Sequence, residues 1–326
     1  MKPAQRPPVV VVGTIFVDLK CFPYHELNFK GRNLGRAEYA HGGVGRNVAE
    51  TMALMGSAVR FSASVQEGGV GHDVLTRLHE AGVDVDGVNV VPQPGGHGMW
   101  VAILHRDGDL ACSISQPPDV SYMEEAWDRH GDRLLQDAGL VVLELDVADK
   151  LAERVLIASR AAGVPVIGLP GNFDCIRRRP ELLPMLTSFV CNQYEAEELY
   201  GKPVTSVPAA KNAARAILDR GLSQIVVTLG GLGSVAYERS MAEPKHIPAL
   251  EVEVVDTTGA GDSFVAGFSH AIAQGASLEV AVQAASRVAA WTVSSTESVC
   301  RDLADRIAAD TWEGWRALET PALVGD

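Results

Sequence analysis

Apolar residues fall in short unbroken blocks along this chain, and helix-period stretches separate them. Val9–Val12 is a continuous apolar run ending at Gly13, the pattern of a strand buried on both faces. A helical pattern covers 47–55, and 59–65 reads as the next strand. Strand-like runs recur at 140–143, 164–169, 189–191 and 225–229, with helical stretches at 148–162, 209–220 and 278–293. Strand and helix alternating at this spacing predict an α/β fold, a doubly wound and mostly parallel sheet flanked by helices. No internal repeat, low-complexity tract or long linker interrupts it, so 1–326 reads as one domain.

Two segments break the alternation. Residues 14–41 hold no convincing helix, and 97–116 reads as a hairpin whose strands (99–105 and 110–115) flank the turn signal Asp107-Gly108-Asp109. Together they predict a small inserted β-sheet, a lid beside the main body and placed to cover a site. Its apolar side, with Met99, Val101 and Ile103, needs a partner. A second copy of the sheet supplies one, so a homodimer through the lid sheets is expected.

Composition narrows the class. The net charge of −13 argues against a broad nucleic-acid surface or an anionic-membrane surface, while leaving room for a phosphate ligand held by backbone dipoles. No apolar run reaches the length of a membrane span, and the start of the chain is polar and Pro-rich. The five cysteines are scattered and form no Cys-x-x-Cys pair. Reduced thiols in a cytoplasmic protein fit this pattern.

The most informative stretch is Asp256-Thr257-Thr258-Gly259-Ala260-Gly261-Asp262-Ser263-Phe264. It follows an alternating run (Leu250, Val252, Val254, Val255) that reads as a strand, and it opens a helical pattern of Phe264, Phe268 and Ile272 ending before Gly275. A small-residue turn entering a helix points unpaired N–H groups at one spot, with the positive end of the dipole behind them. That is an anion hole, suited to a moving phosphoryl group. Asp262 at its edge could take a proton from an attacking hydroxyl. It could equally serve as a dipole partner in an ordinary capped helix.

Other blocks carry further chemistry. Gly42-Gly43-Val44-Gly45-Arg46-Asn47 opens a helix, but Val48 stands where a dinucleotide turn needs its third glycine, and 36–41 is too polar for a buried strand. A turn whose glycines admit a polar ligand remains, with Asn47 as donor and acceptor or as a capping residue. No Gly-x-x-x-x-Gly-Lys-Ser/Thr occurs, which excludes a P-loop. Asn192 and Glu195 stand three apart at a strand-to-helix junction, and Thr228-Leu229-Gly230-Gly231-Leu232-Gly233 follows the 225–227 strand.

These blocks, in this order, make the chain similar to the ribokinase (phosphofructokinase-B-type, PfkB) family of carbohydrate and nucleoside kinases, over nearly its whole length. The resemblance implies a ribokinase-like fold and transfer of a phosphoryl group from ATP, with Mg²⁺, to a hydroxymethyl of a sugar or nucleoside. It implies Asp262 as the base, with Gly259, Ala260 and Gly261 supplying anion-hole amides. Asp18, Gly43 and Asn47 would hold substrate hydroxyls, with Asp146 near a sugar-contacting position. Asn192 and Glu195 would position Mg²⁺-bound waters and phosphates, and Thr228, Gly230 and Gly233 would line the ATP site. Asp256 and Thr258 match the start of a monovalent-cation loop, possible for K⁺.

Two departures bear on the acceptor. Phe16 stands where ribokinase has Asn, and Val44 where it has Lys, so two polar sugar contacts become apolar. Gly-Gly-Val-Gly-Arg-Asn-Val-Ala and residues 294–303 look closer to pseudouridine kinases, whereas 113–119 differs from their acidic lid segment. A nucleoside, pseudouridine first, is therefore expected ahead of free ribose, fructose or an aminosugar. A ligand sensor on a kinase fold is the non-enzyme alternative. It would be marked by loss of the aspartate or of an anion-hole glycine, and both are intact.

Overall fold

The alternating blocks assemble into two sheets in the computed structural model, which describes residues 6–107, 109–171 and 173–319. Residues 1–5 of the polar start and Gly108 of the hairpin turn lie outside the described residues, as does the Asp146 side chain.

The strands are Val9–Val12 (β1), Phe16–Pro23 (β2), Gly35–Gly42 (β3), Val59–Gln66 (β4), Val83–Val91 (β5), Gly98–Leu104 (β6), Leu110–Gln116 (β7), Leu140–Glu144 (β8), Val166–Leu169 (β9), Ser188–Asn192 (β10), Gln224–Thr228 (β11), Ser234–Glu238 (β12) and Lys245–Ile247 (β13). The helices that matter below are Val44–Leu54 (α1), Gly69–Glu80 (α2), Val120–Leu135 (α3), Asp149–Ala161 (α4), Asp174–Arg178 (α5), Gln193–Tyr200 (α6), Val207–Leu218 (α7), Ala260–Ala273 (α8) and Leu278–Val293 (α9).

The large sheet runs β13-β12-β11-β10-β9-β8-β1-β4-β5. Every pair from β11 to β5 is parallel, and only β12 and β13 add antiparallel. Parallel strands need covered faces, and β1 shows how: Val9 and Val11 join one core, Val10 and Val12 the other. α1, α2, α8 and α9 pack on the first face, α3, α4, α6 and α7 on the second. The carboxyl ends of β1, β8, β10 and β11 open on the same edge, where ligands of such sheets bind.

The second sheet runs β3-β2-β6-β7, with β2 and β6 parallel. The irregular 14–41 stretch thus contributes two strands. One rung reads Ala40-Asp18-Trp100-Ser115 and the next Tyr39-Leu19-Val101-Ile114. Because side chains alternate, the first rung shares a face with Asp18 and the second lies on the opposite face.

The strand expected over 250–255 does not form. β13 ends at Ile247, Pro248 cannot donate to a ladder, and no strand follows before the Val255 N–H reaches the Val293 carbonyl of α9. Leu250, Val252, Val254 and Val255 are exposed instead of buried.

Candidate active site

Glycines bring the first elements together. A Cβ on Gly13 would stand 2.6 Å from the Gly45 Cα, and one on Gly43, at φ 97°, 2.5 Å from the Thr14 carbonyl. The end of β1 and the start of α1 therefore touch backbone to backbone, as only glycines allow. Glu144, at the end of β8 and buried, clamps this junction. It accepts from the Thr14 N–H at 2.7 Å, the Thr14 hydroxyl at 2.9 Å and the Gly45 N–H at 3.0 Å. Nothing in its local sequence distinguished Glu144 from an ordinary strand residue.

The nonapeptide does open a helix. Gly259 is the N-cap of α8 with φ 78°, and an added Cβ would lie 2.1 Å from the Ser298 carbonyl oxygen. Here glycine is required twice over, by angle and by space. Gly261 differs: nothing lies within 4 Å of its would-be Cβ. Open room in front of a helix N-terminus is what an incoming anion needs. The Ala260 N–H reaches back to the Thr257 carbonyl at 3.3 Å. The Thr292 hydroxyl donates to the Ser263 hydroxyl at 2.8 Å, tying the first turn of α8 to α9.

Asp262 sits in that first turn and Asn47 Nδ2 donates to its Oδ2 at 2.7 Å. Burial pushes the Asp262 carboxyl up to about 6; the Asn47 bond and the Arg46 charge pull the other way, and the nearby Asp18 adds to the rise. A carboxylate near 6 is poised to accept a proton at neutral pH. Asp18 extends from β2 toward the same place. Its carboxyl is raised by burial against the pull of Arg46 and Lys20.

Arg46 lies at the centre of this junction. It is fully buried and donates to Glu50 Oε2, to the His41 and Gly42 carbonyls and to the Ser298 hydroxyl. Glu50, also buried, pairs with Arg77 as well, and Arg77 reaches Glu297. Its signal was an arginine four residues before a glutamate on one helix, the spacing of an intrahelical pair.

The residues expected on the nucleotide side gather at the ends of β10 and β11. Asn192 and Thr228 are register partners. Asn192 caps α6 by accepting from the Tyr194 and Glu195 N–H groups at 2.9 and 3.0 Å, while Glu195 accepts from the Asn192 N–H at 2.6 Å. This reciprocal capping box fixes both side chains at the strand end. Gly230 and Gly233 bracket a tight turn with φ of 57° and 90°. A Cβ on Gly233 would strike the Ile247 carbonyl, whereas Gly230 faces open space.

Asp256 accepts from the Thr258 N–H at 2.8 Å and lies 3.6 Å from the Lys20 ammonium of β2. Burial would raise its carboxyl, but the Thr258 bond and Lys20 outweigh it and hold it below the ordinary value. Lys20 thus links the second sheet to the loop that leads into α8. Asp146 stands in the turn after β8 by its backbone, with its side chain outside the described residues.

The family model for pfkB carbohydrate kinases matches residues 7–301. The chain belongs to that family. Its members are phosphotransferases with an alcohol group as acceptor, and this chain is accordingly an ATP-dependent sugar or nucleoside kinase. The chain is 35% identical to guanosine-inosine kinase of Exiguobacterium acetylicum over 89% of its own length and 95% of the relative's. Pseudouridine kinase of Escherichia coli is 27% identical over 80% of this chain and 82% of that one. Among solved structures, Arabidopsis thaliana ribokinase complexed with ribose and ATP superimposes with a TM-score of 0.78 at 25% identity, covering 92% and 98% of the two chains. The ribokinase-like fold is therefore established. Among the described residues no helix is long and apolar enough to cross a membrane.

Proposed function

We propose that this pfkB-family kinase phosphorylates the primary hydroxyl of a nucleoside, with purine nucleosides ahead of pseudouridine and of free sugars. The observation that carries this reading is the rung Asp18-Trp100. A carboxylate able to accept from ribose hydroxyls stands directly beside a half-buried indole on the face of the small sheet that Asp18 shares. An aromatic ring there offers a stacking surface to a flat base. Phe16 adds a second ring on the same face, its edge filling the space over Gly98. Similarity to guanosine-inosine kinase at 35%, against 27% for pseudouridine kinase, supports the purine order.

In this reading Asp262 takes the proton from the attacking hydroxyl, and the amides at Gly259 and Gly261, with Ala260 once its N–H leaves the Thr257 carbonyl, face the negative charge of the transferring group. Asp18, Gly43 and Asn47 border the acceptor, with Asp146 following β8. Asn192, Thr228, Gly230 and Gly233 line the ATP side. Mg²⁺ keeps several waters and takes few protein carboxylates. Glu195, capping α6 at the phosphate end, is suited to hold such a hydrated ion, which would neutralise phosphate charge. At Asp256 and Thr258 a potassium ion would compete with Lys20 for one carboxylate. The second sheet acts as a lid over the acceptor, and its other face pairs with a second copy. That face carries exposed Tyr39, Met99, Ile103 and Ile114, more apolar surface than a lone sheet leaves to water.

The test is an ADP-release assay with guanosine, inosine, pseudouridine, ribose and fructose at equal concentration. The expected order is purine nucleosides first. Turnover of a free sugar with every nucleoside inert refutes the nucleoside assignment, and no turnover at all with ligand-induced melting shifts intact points to a sensor.

A further inference from the structure

Ser298 lies where three parts of the site meet. Its carbonyl oxygen seats the Gly259 N-cap, 2.1 Å from a would-be Cβ there. Its hydroxyl receives Arg46 Nη2 at 3.2 Å and stands 3.3 Å from Asn47 Oδ1 and 3.4 Å from the His41 carbonyl. A hydroxyl has a single proton to give. Asn47 Oδ1 is the nearer acceptor, and the His41 carbonyl already receives a guanidinium N–H from Arg46, so the proton is assigned to Asn47 Oδ1.

The Asp262 carboxylate only accepts, and this settles which way the Asn47 amide faces. With Oδ1 on Ser298, the NH₂ end points at Asp262, where it donates at 2.7 Å. The flipped amide would set its oxygen against the carboxylate. We propose that the directed chain Arg46 to Ser298 to Asn47 to Asp262 holds the catalytic base in one orientation, with Oδ1 of Asp262 left to receive the substrate proton. Arg46 and Ser298 are positioning residues, acting through Asn47. The inference rests on the reading of Asp262 as base.

The chain begins at a buried cation and ends at an anion, so each bond polarises the next. The groups facing Asp262 are Arg46 and Asn47 from α1 and Asp18 from β2; the first two favour its charged form and Asp18 opposes it. Removing the Ser298 hydroxyl leaves both charges in place. It changes only how firmly Asn47 donates.

A two-by-two cycle of Ser298→Ala and Asn47→Ala tests this, with kcat measured against pH for each protein. Ser298→Ala keeps the backbone carbonyl under Gly259, so folding is preserved. Loss of one hydrogen bond's net contribution predicts a fall in kcat of about fivefold, with the acid limb moved to higher pH and KM for ATP unchanged. In the Asn47→Ala background the same change should do nothing further. Equal losses from Ser298→Ala in both backgrounds, or an unmoved acid limb, overturn the chain. An unaffected Ser298→Ala beside a dead Asp262→Asn overturns the chain alone and leaves the base standing.

Discussion

Replacing Asp262 by Asn separates a catalytic base from a helix cap, because the two roles give opposite signs in stability. Burial holds the carboxyl up at about 6 against an ordinary 3.8. At about 1.4 kcal/mol per pKa unit, the charged carboxylate costs the fold on the order of 3 kcal/mol at pH 8. The sign follows from linkage: the folded state binds this proton more tightly than the unfolded chain. The group's favourable contribution is therefore complete below about pH 4 and is lost as pH rises through about 6. Asn is the same size, stays neutral, and its oxygen still accepts from Asn47. The variant should melt a few degrees higher than the parent at pH 8, at about 1.5 °C per kcal/mol for a chain of this length, with the difference shrinking as pH falls.

Activity should move the other way. Asn cannot accept the proton, so phosphoryl transfer should fall by roughly two to four orders of magnitude. In the parent, kcat/KM should drop on the acid side of about pH 6, to around a tenth of its plateau one pH unit below. Calorimetric melting across pH 5–8 and a coupled ADP-release assay read both effects. An acidic residue serving only the helix dipole contributes about 0.3–1 kcal/mol of stability, so its loss lowers the melting point. A variant that melts lower at pH 8 and keeps half its turnover would refute the base assignment.

Gly259→Ala forces a side chain into left-handed backbone at φ 78° and against the Ser298 carbonyl. It should cost on the order of 1–3 kcal/mol and most of the turnover, whereas Gly261→Ala, with open space before it, should keep stability and raise KM for ATP; equal melting losses in the two would contradict the geometry. Val101→Asp, on the rung with Leu19 and Ile114, should convert a dimer to monomer in sedimentation velocity, and a monomeric parent at micromolar concentration would defeat the pairing of lid sheets.

The parallel core was legible because its signal is local. A strand buried on both faces writes itself as Val9–Val12, and helices such as 278–293 repeat their apolar faces within a few turns. The turn that opens α8 was legible for the same reason, since Gly259, the helix N-terminus and Asp262 are neighbours in sequence. What the sequence hid was long-range. Glu144 is one apolar-flanked carboxylate among many until its fold partner, the Thr14–Gly45 junction, is brought beside it. Ser298 is one of three serines in 294–298, and only its contact with α1 singles it out. The 250–255 segment misled for the opposite reason: its alternation was real, but alternation makes a strand only where a sheet edge is present to receive it, and Pro248 ends that edge. Asn47 shows how the two kinds of information combine. Its turn marked it as a polar contact, and the structure spends its amide on Asp262. On the proposed reading, substrate hydroxyls would then be read chiefly by Asp18 and by backbone around Gly43, and the choice of acceptor would be made across the rung, at Trp100.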